Sequence, residues 1–357
     1  MSVEIWPPIS LAELKIQEDA TQARELTWLL ISLRATLEKI KRGLEDCCAL
    51  LAPADSAGST LVLTTPRNET VKGHTTRVGA RLVRGLVHLR LRTLPPQTIS
   101  LDPSRPVRVP ALIRLDALLS LSLELCLALE EHQNQTTPPP SAPYLASQLR
   151  LLALHIAEAA ALVKGPSQPP ARPSTSASTA SHEVPGRQHL PEQKVPLDTT
   201  WTTSSVSLGH FTPPLSRNLS LYVTIQDACL VIYLRALEPA DAPVNFGTKL
   251  ALAIGTTRRI EHDEADRVFS YRCDDESRID GGTSAPEHHG SRSGSNAGGE
   301  DNGGNKKEVE VYVREKVRVE SADPSLLSLS AKLSALGNTL GLARRNLAAV
   351  MEQDLEE

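Results

Sequence analysis

The chain has 357 residues, 40% of them hydrophobic but only 3% aromatic, so it is long enough to bury a sizeable core, and that core must be aliphatic, which favours helices over flat sheets. A formal charge of −4 gives no bulk attraction to nucleic acid or to an anionic membrane surface. With no basic-then-apolar leader in residues 1–10 and no uncharged apolar run of about 18 residues, the expectation is a soluble, cytoplasmic protein without direct membrane insertion.

From Glu25 to Leu51 the apolar positions Leu26, Leu30, Leu33, Leu37, Ile40, Leu44, Cys47 and Leu51 follow an unbroken 4-3 spacing, the mark of a helical packing seam, and Pro53 stops the helix. Residues 60–65 and 78–92 then switch to period two, with Val83, Val87, Leu89 and Leu91 opposite Arg84, His88, Arg90 and Arg92, which predicts half-buried antiparallel strands. A second helix is predicted over 109–132, where nine leucines between Leu112 and Leu129 cover most of the circumference. A third spans 144–164, closed by Gly165-Pro166.

Residues 166–200 are rich in Pro, Ser and Thr, and 274–306 in Gly, Ser and Asp; neither has the apolar groups to offset the entropy of ordering, so both read as disordered inserts. Between them, Leu219, Leu221, Val223 and Ile225 alternate with polar residues, and a second apolar run follows the Asp227-Ala228 break, predicting a β-hairpin; residues 249–256 add a possible strand. Alternation from Val309 to Val319 predicts one more amphipathic strand. Asp323 as cap and Pro324 at the first helical position then open a last helix, whose Leu326, Leu329, Leu333, Leu336, Leu340 and Leu347 form a second seam.

Two seams of matched length bury each other best, so the first and last helices are expected to pack together with the two middle ones. The predicted fold is α+β and elongated: an antiparallel helical bundle (22–52, 109–164 and 323–352) and an antiparallel β-sheet domain (58–100, 205–272 and 307–321). Because several stripes in one chain can satisfy one another, the seam reads as internal and the protein as a monomer outside any complex; the competing reading is a homodimeric coiled-coil adaptor.

No catalytic, cofactor or metal site is indicated. The glycines of Gly281 to Gly304 lack the strand–turn–helix context of a phosphate loop, and the His288-His289 pair has no third ligand fixed nearby. The five cysteines Cys47, Cys48, Cys126, Cys229 and Cys273 show no CxxC and no regular Cys/His spacing, so they read as reduced thiols, mostly acting as small hydrophobes. Between Arg67 and Arg114 ten basic residues face only Glu69 and Asp102. Two readings stand: a solvated strand face, or a patch built on Arg77, Arg81, Arg84, Arg90 and Arg92 that docks an acidic partner. Nucleic acid fits poorly, since no aromatic residues interleave with these bases.

Three segments resemble the Rogdi family: ELTWLL from Glu25 to Leu30, Val71-Lys72-Gly73 leading into Leu82 to Leu91, and, most specifically, the run from Pro213 to Pro239 with Val244-Asn245-Phe246 after it. Glu308 to Val350 agrees in order and type of element. The resemblance implies a non-catalytic subunit of RAVE, the regulator of the ATPase of vacuolar and endosomal membranes, acting with a large β-propeller subunit and a Skp-type adaptor. Its implied role is to promote assembly of the peripheral and membrane sectors of the V-ATPase, and hence vacuolar acidification, by peripheral recruitment to vacuolar and endosomal membranes.

Overall fold

The first helix begins earlier than its seam. Ser10 and Glu13 form the S-x-x-E pattern of a capping box, and the Ser10 hydroxyl accepts a hydrogen bond from the Glu13 N–H. Good helix formers then carry α1 from Leu11–Leu51, fourteen residues longer at its start than the 25–51 expected from the seam alone. A computed structural model of the chain describes residues 9–53, 58–135, 141–166, 198–241, 262–265, 267–272 and 308–351. The expected strand at 249–256, most of the 166–200 insert, all of the 274–306 insert, Cys273, His288-His289 and Gly281 to Gly304 lie outside the described residues.

After α1 come strands β1 (Ser59–Thr64), β2 (Val71–Val78), β3 (Arg81–Leu89), β4 (Gln97–Leu101) and β5 (Val107–Arg108). Helices α2 (Pro110–Gln135) and α3 (Ala142–Lys164) follow, then the single turn α4 (Trp201–Ser204). Strands β6 (Phe211–Thr212), β7 (Leu219–Gln226), β8 (Cys229–Pro239), β9 (Val268–Arg272) and β10 (Glu308–Ala322) precede the last helix, α5 (Pro324–Val350). The single strand expected over 78–92 is corrected: β2 and β3 form a hairpin turning at Gly79 and Ala80. The register slips between Thr76 and Arg77, where Leu82 pairs with Arg77 but Arg84 with Thr76, so Val83 is the extra residue of a bulge. That bulge is why Leu82, and not Val83, is buried before the burial returns to odd positions at Leu89 and Leu91.

All strand pairs among the described residues are antiparallel. One sheet runs β1-β2-β3-β4-β6 with β5 beside β3, and the other runs β7-β8-β10-β9. Their apolar faces meet: Leu63, Ile99 and Leu101 of the first sheet oppose Leu221, Val223 and Ile232 of the second, leaving a cavity of only about 30 Å³ between them. The four long helices pack as a ring in which α1 touches α2 and α5, and α3 touches α2 and α5. Gln22 at one end of α1 donates to the Val350 carbonyl, and Asp46 near the other pairs with Lys332, so the first and last helices run antiparallel. By length and composition α3 is apolar enough to cross a membrane, but here Leu145, Leu149, Leu152 and Ile156 bury its seam in the bundle. The seam leucines and the inner residues of both sheets belong to one continuous apolar core.

The join between bundle and sheets is made by backbone. Helix α3 ends at Gly165, whose φ of 68° and ψ of −177° suit only glycine, and a Cβ there would sit 2.2 Å from the Ile225 carbonyl oxygen. This closeness lets the β7–β8 turn cap the helix: the N–H groups of Asp227 and Ala228 donate to the carbonyls of Lys164 and Val163. Gly165→Ala is expected to lower stability by at least about 2 kcal/mol in chemical denaturation, since strain and clash add. A loss under about 0.5 kcal/mol would contradict the close approach.

Candidate functional site

The two seams lie within one molecule. Leu33, Leu37, Ile40 and Leu44 of α1 and Leu329, Leu333, Leu336, Leu340 and Leu347 of α5 are buried in the shared core, while Leu26 and Leu30, nearer the free end of α1, are half-buried against it. Gly43 of α1 lets α5 come close: a Cβ there would meet the Leu336 side chain at 2.5 Å. The leucine repeat is therefore used for intramolecular packing, and the molecule's surfaces must be sought elsewhere.

The basic segment divides. Arg81, Arg84, Arg90 and Arg92 are exposed. Arg77 is a correction to the expected patch: on β2 it shares the inward parity of Val71 and Thr75, and it is 1% exposed. Its Nε donates to Asp323 at 2.6 Å, and its Nη1 donates to the carbonyls of Leu51 and Gly79. The physical reason is the end of α1, whose last carbonyls have no helical partner and take a buried guanidinium donor instead. Asp323 is itself fully buried and accepts from the N–H groups of Ser325 and Leu326 as the cap of α5. One ion pair thus ties the end of α1, the β2–β3 turn and the start of α5.

Around the remaining arginines the strand register assembles a broader face than the sequence indicated. Lys72, Arg84 and His88 lie on the outer side of the first sheet, with Lys72 opposite His88 and Arg84 opposite Thr76; the exposed Arg90, one residue beyond β3, continues the alternation and donates its N–H to the Thr70 carbonyl. His74 sits between Val62 on β1 and Leu86 on β3, giving an apolar row at the centre of the basic one. Val62 is 61% and Leu86 38% exposed. Lys72 was counted among the basic residues and Val62 lay in an expected strand, but without β2 between them neither they nor His74 could be placed beside the arginines.

The outer side of the second sheet is closed by contrast. Trp201 from α4 packs against Phe269 and Tyr271, with Leu237, Val311 and Val313, in a small second core. Beneath it Arg235 forms a bidentate pair with Glu264 at 2.7 and 2.9 Å, both groups nearly inaccessible, while the guanidinium lies 4.6 Å from the Trp201 ring centroid and 5.1 Å from that of Tyr233. Lys316 adds a second cation at 2.7 Å from Glu264. Arg235 Nη1 has no hydrogen-bond partner among the described residues, so the aromatic faces supply its compensation. The one signal in the sequence was a lone arginine inside the otherwise apolar run from Leu230 to Leu237.

Of the described cysteines, Cys47 and Cys126 are buried in the core, while Cys48 and Cys229 are half-buried. Burial pushes the Cys47 thiol up to about 11 and the Cys126 thiol up to about 12. A thiol with a raised pKa stabilises the fold while the unfolded thiol is also protonated; that contribution is lost as pH climbs from about 9 toward those values, because only the unfolded chain ionises. The expected results are protection of Cys47 and Cys126 from iodoacetamide at pH 8 and falling stability above about pH 9, read by mass spectrometry and thermal melts. Alkylation of Cys126 in the native protein would contradict this burial.

A family model described as Rogdi leucine zipper containing protein matches residues 25–348. The chain belongs to the Rogdi family. The match takes in both seams, both sheets and the basic face. No curated protein matches the chain. The Rogdi family is not a known enzyme family, and the leucine repeats of this chain form the internal seam of its helical bundle.

Proposed function

We propose that this Rogdi-family chain is a non-catalytic subunit of RAVE that promotes assembly of the peripheral and membrane sectors of the V-ATPase, working in the cytoplasm and at vacuolar and endosomal membranes. The observation that carries the reading is the family match over residues 25–348. The physical character of the molecule agrees with it: the zipper leucines are spent on an internal core, and what the protein offers outward is an open sheet face and helix surfaces. Such a subunit acts by holding a large β-propeller subunit, a Skp-type adaptor and the detached peripheral sector together through several weak contacts, which suits a factor that must release its product.

The test is affinity purification of the full chain from native lysate with quantification of partners, together with organelle pH and sector assembly after depletion of the chain. Recovery of the propeller subunit and peripheral V-ATPase subunits, with loss of assembly on depletion, supports the role. Unchanged sector assembly after depletion overturns it. Light scattering of the purified protein is expected to give a monomer, because the seam is already occupied from within.

A further inference from the structure

We infer that the open face of the first sheet is a docking site for an acidic, partly apolar extended segment of a partner protein. Its centre is the cross-strand row Val62, His74 and Leu86; on one side lie Lys72, His88 and Arg90, and on the other Arg84. Neighbouring strands are about 4.8 Å apart and alternate residues about 7 Å, so these groups share a surface of roughly 15 by 20 Å. The remaining outward residues of β1, β2 and β4 are Thr60, Thr64, Thr76, Val78, Thr98 and Ser100, so the strands put no carboxylate on the face. Acids at its edges are already engaged: Glu69 stands beside Arg67, Asp102 accepts from the Ser104 N–H and hydroxyl, and the buried Glu315 of β10 accepts from the N–H groups of Arg92 and Thr93.

This distribution opposes the protein's overall sign. A chain of formal charge −4 that keeps one face free of strand carboxylates has a local field directed at an acidic ligand. The apolar row decides the class: Val62 and Leu86 need apolar side chains to cover them, which an Asp/Glu-rich peptide with interspersed Val or Leu supplies and a phosphate backbone does not. The strand residues of the face include no Phe, Tyr or Trp on which bases would stack.

The inference rests on the non-catalytic, adhesive reading above, but its test uses purified full-length protein alone. The probe is a fluorescein-labelled peptide of about twelve residues, mostly Glu, with Val and Leu at alternate central positions. Binding is expected to weaken at least tenfold in the Lys72→Glu/Arg84→Glu/Arg90→Glu variant and about threefold in Leu86→Ser, and to stay within about twofold in Lys15→Glu/Lys39→Glu/Arg345→Glu, which changes net charge equally on the bundle. Matching thermal melts establish that all variants are folded. Equal loss in both charge reversals, tighter binding of single-stranded RNA or of phosphatidylserine vesicles, or self-association through this face by light scattering would each overturn the inference. If peptide binding fails while V-ATPase subunits still co-purify with the chain, the docking face is wrong and the assembly role stands.

Discussion

Replacing Asp323 with alanine is expected to lower the unfolding free energy by about 3–5 kcal/mol, because it leaves the Arg77 guanidinium buried and uncompensated. The substitution removes two functions at once: the counter-ion 2.6 Å from Arg77 Nε, and the acceptor that caps α5 at Ser325 and Leu326. Asp323→Asn separates them, since an amide oxygen still caps the helix while the charge is gone; the difference between the two variants reports the cap, worth about 1 kcal/mol. The Asp323→Ala/Arg77→Met pair should be less destabilised than Asp323→Ala alone, since a buried charge without a partner costs more than an apolar replacement of the whole pair. Urea denaturation followed by circular dichroism measures all three. A loss below about 1 kcal/mol for Asp323→Ala would mean that the pair is solvated, contrary to its 1% and 0% exposure.

Leu37→Ala and Leu340→Ala are each expected to cost about 2–5 kcal/mol, the range for deleting a fully buried leucine from a core that relaxes only partly. Both side chains are completely inaccessible, one on each seam. The internal location adds a sharper expectation: the denaturation midpoint should not depend on protein concentration in the parent or in either variant, whereas a seam formed between two chains would make it rise with concentration. Ile31→Ala and Leu342→Ala are the matched controls. These residues lie on the same helices but are 69% and 55% exposed, and their replacement should stay within about 0.5 kcal/mol.

The helices were legible because their seams are long and written in one residue type. The 4-3 spacing of Leu33 to Leu51, the all-round leucines of α2 and the Asp323-Pro324 start of α5 each describe local physics that tertiary contacts only reinforce. The hairpin at Asp227-Ala228 was legible for the same reason, with alternation on both sides of the break. Strand β2 was not: Val71, Gly73, Thr75 and Arg77 face inward, so three of its four core-facing positions carry no large aliphatic group, and period two fades. Losing β2 placed Arg77 on the wrong side of the protein and left Lys72 and His74 without a place on the face. The start of α1 was hidden in the opposite way, by attention to the seam rather than to the Ser10–Glu13 box before it. The Arg235–Glu264 pair joins residues 29 apart across an intervening segment, a contact that no local pattern announces.

Strand β10 lies between β8 and β9, and the helix that follows it fills the fourth place in the bundle. Both come after every other described element in chain order. Until they emerge, β8 and β9 lack the ribbon that joins them, α1 and α3 present bare leucine rows to solvent, and the guanidinium of Arg77 lacks the Asp323 carboxylate. The nascent protein is thus obliged to wait, exposed to chaperones, for residues 308–350 before either half can close, and a premature stop before residue 308 deprives both halves together.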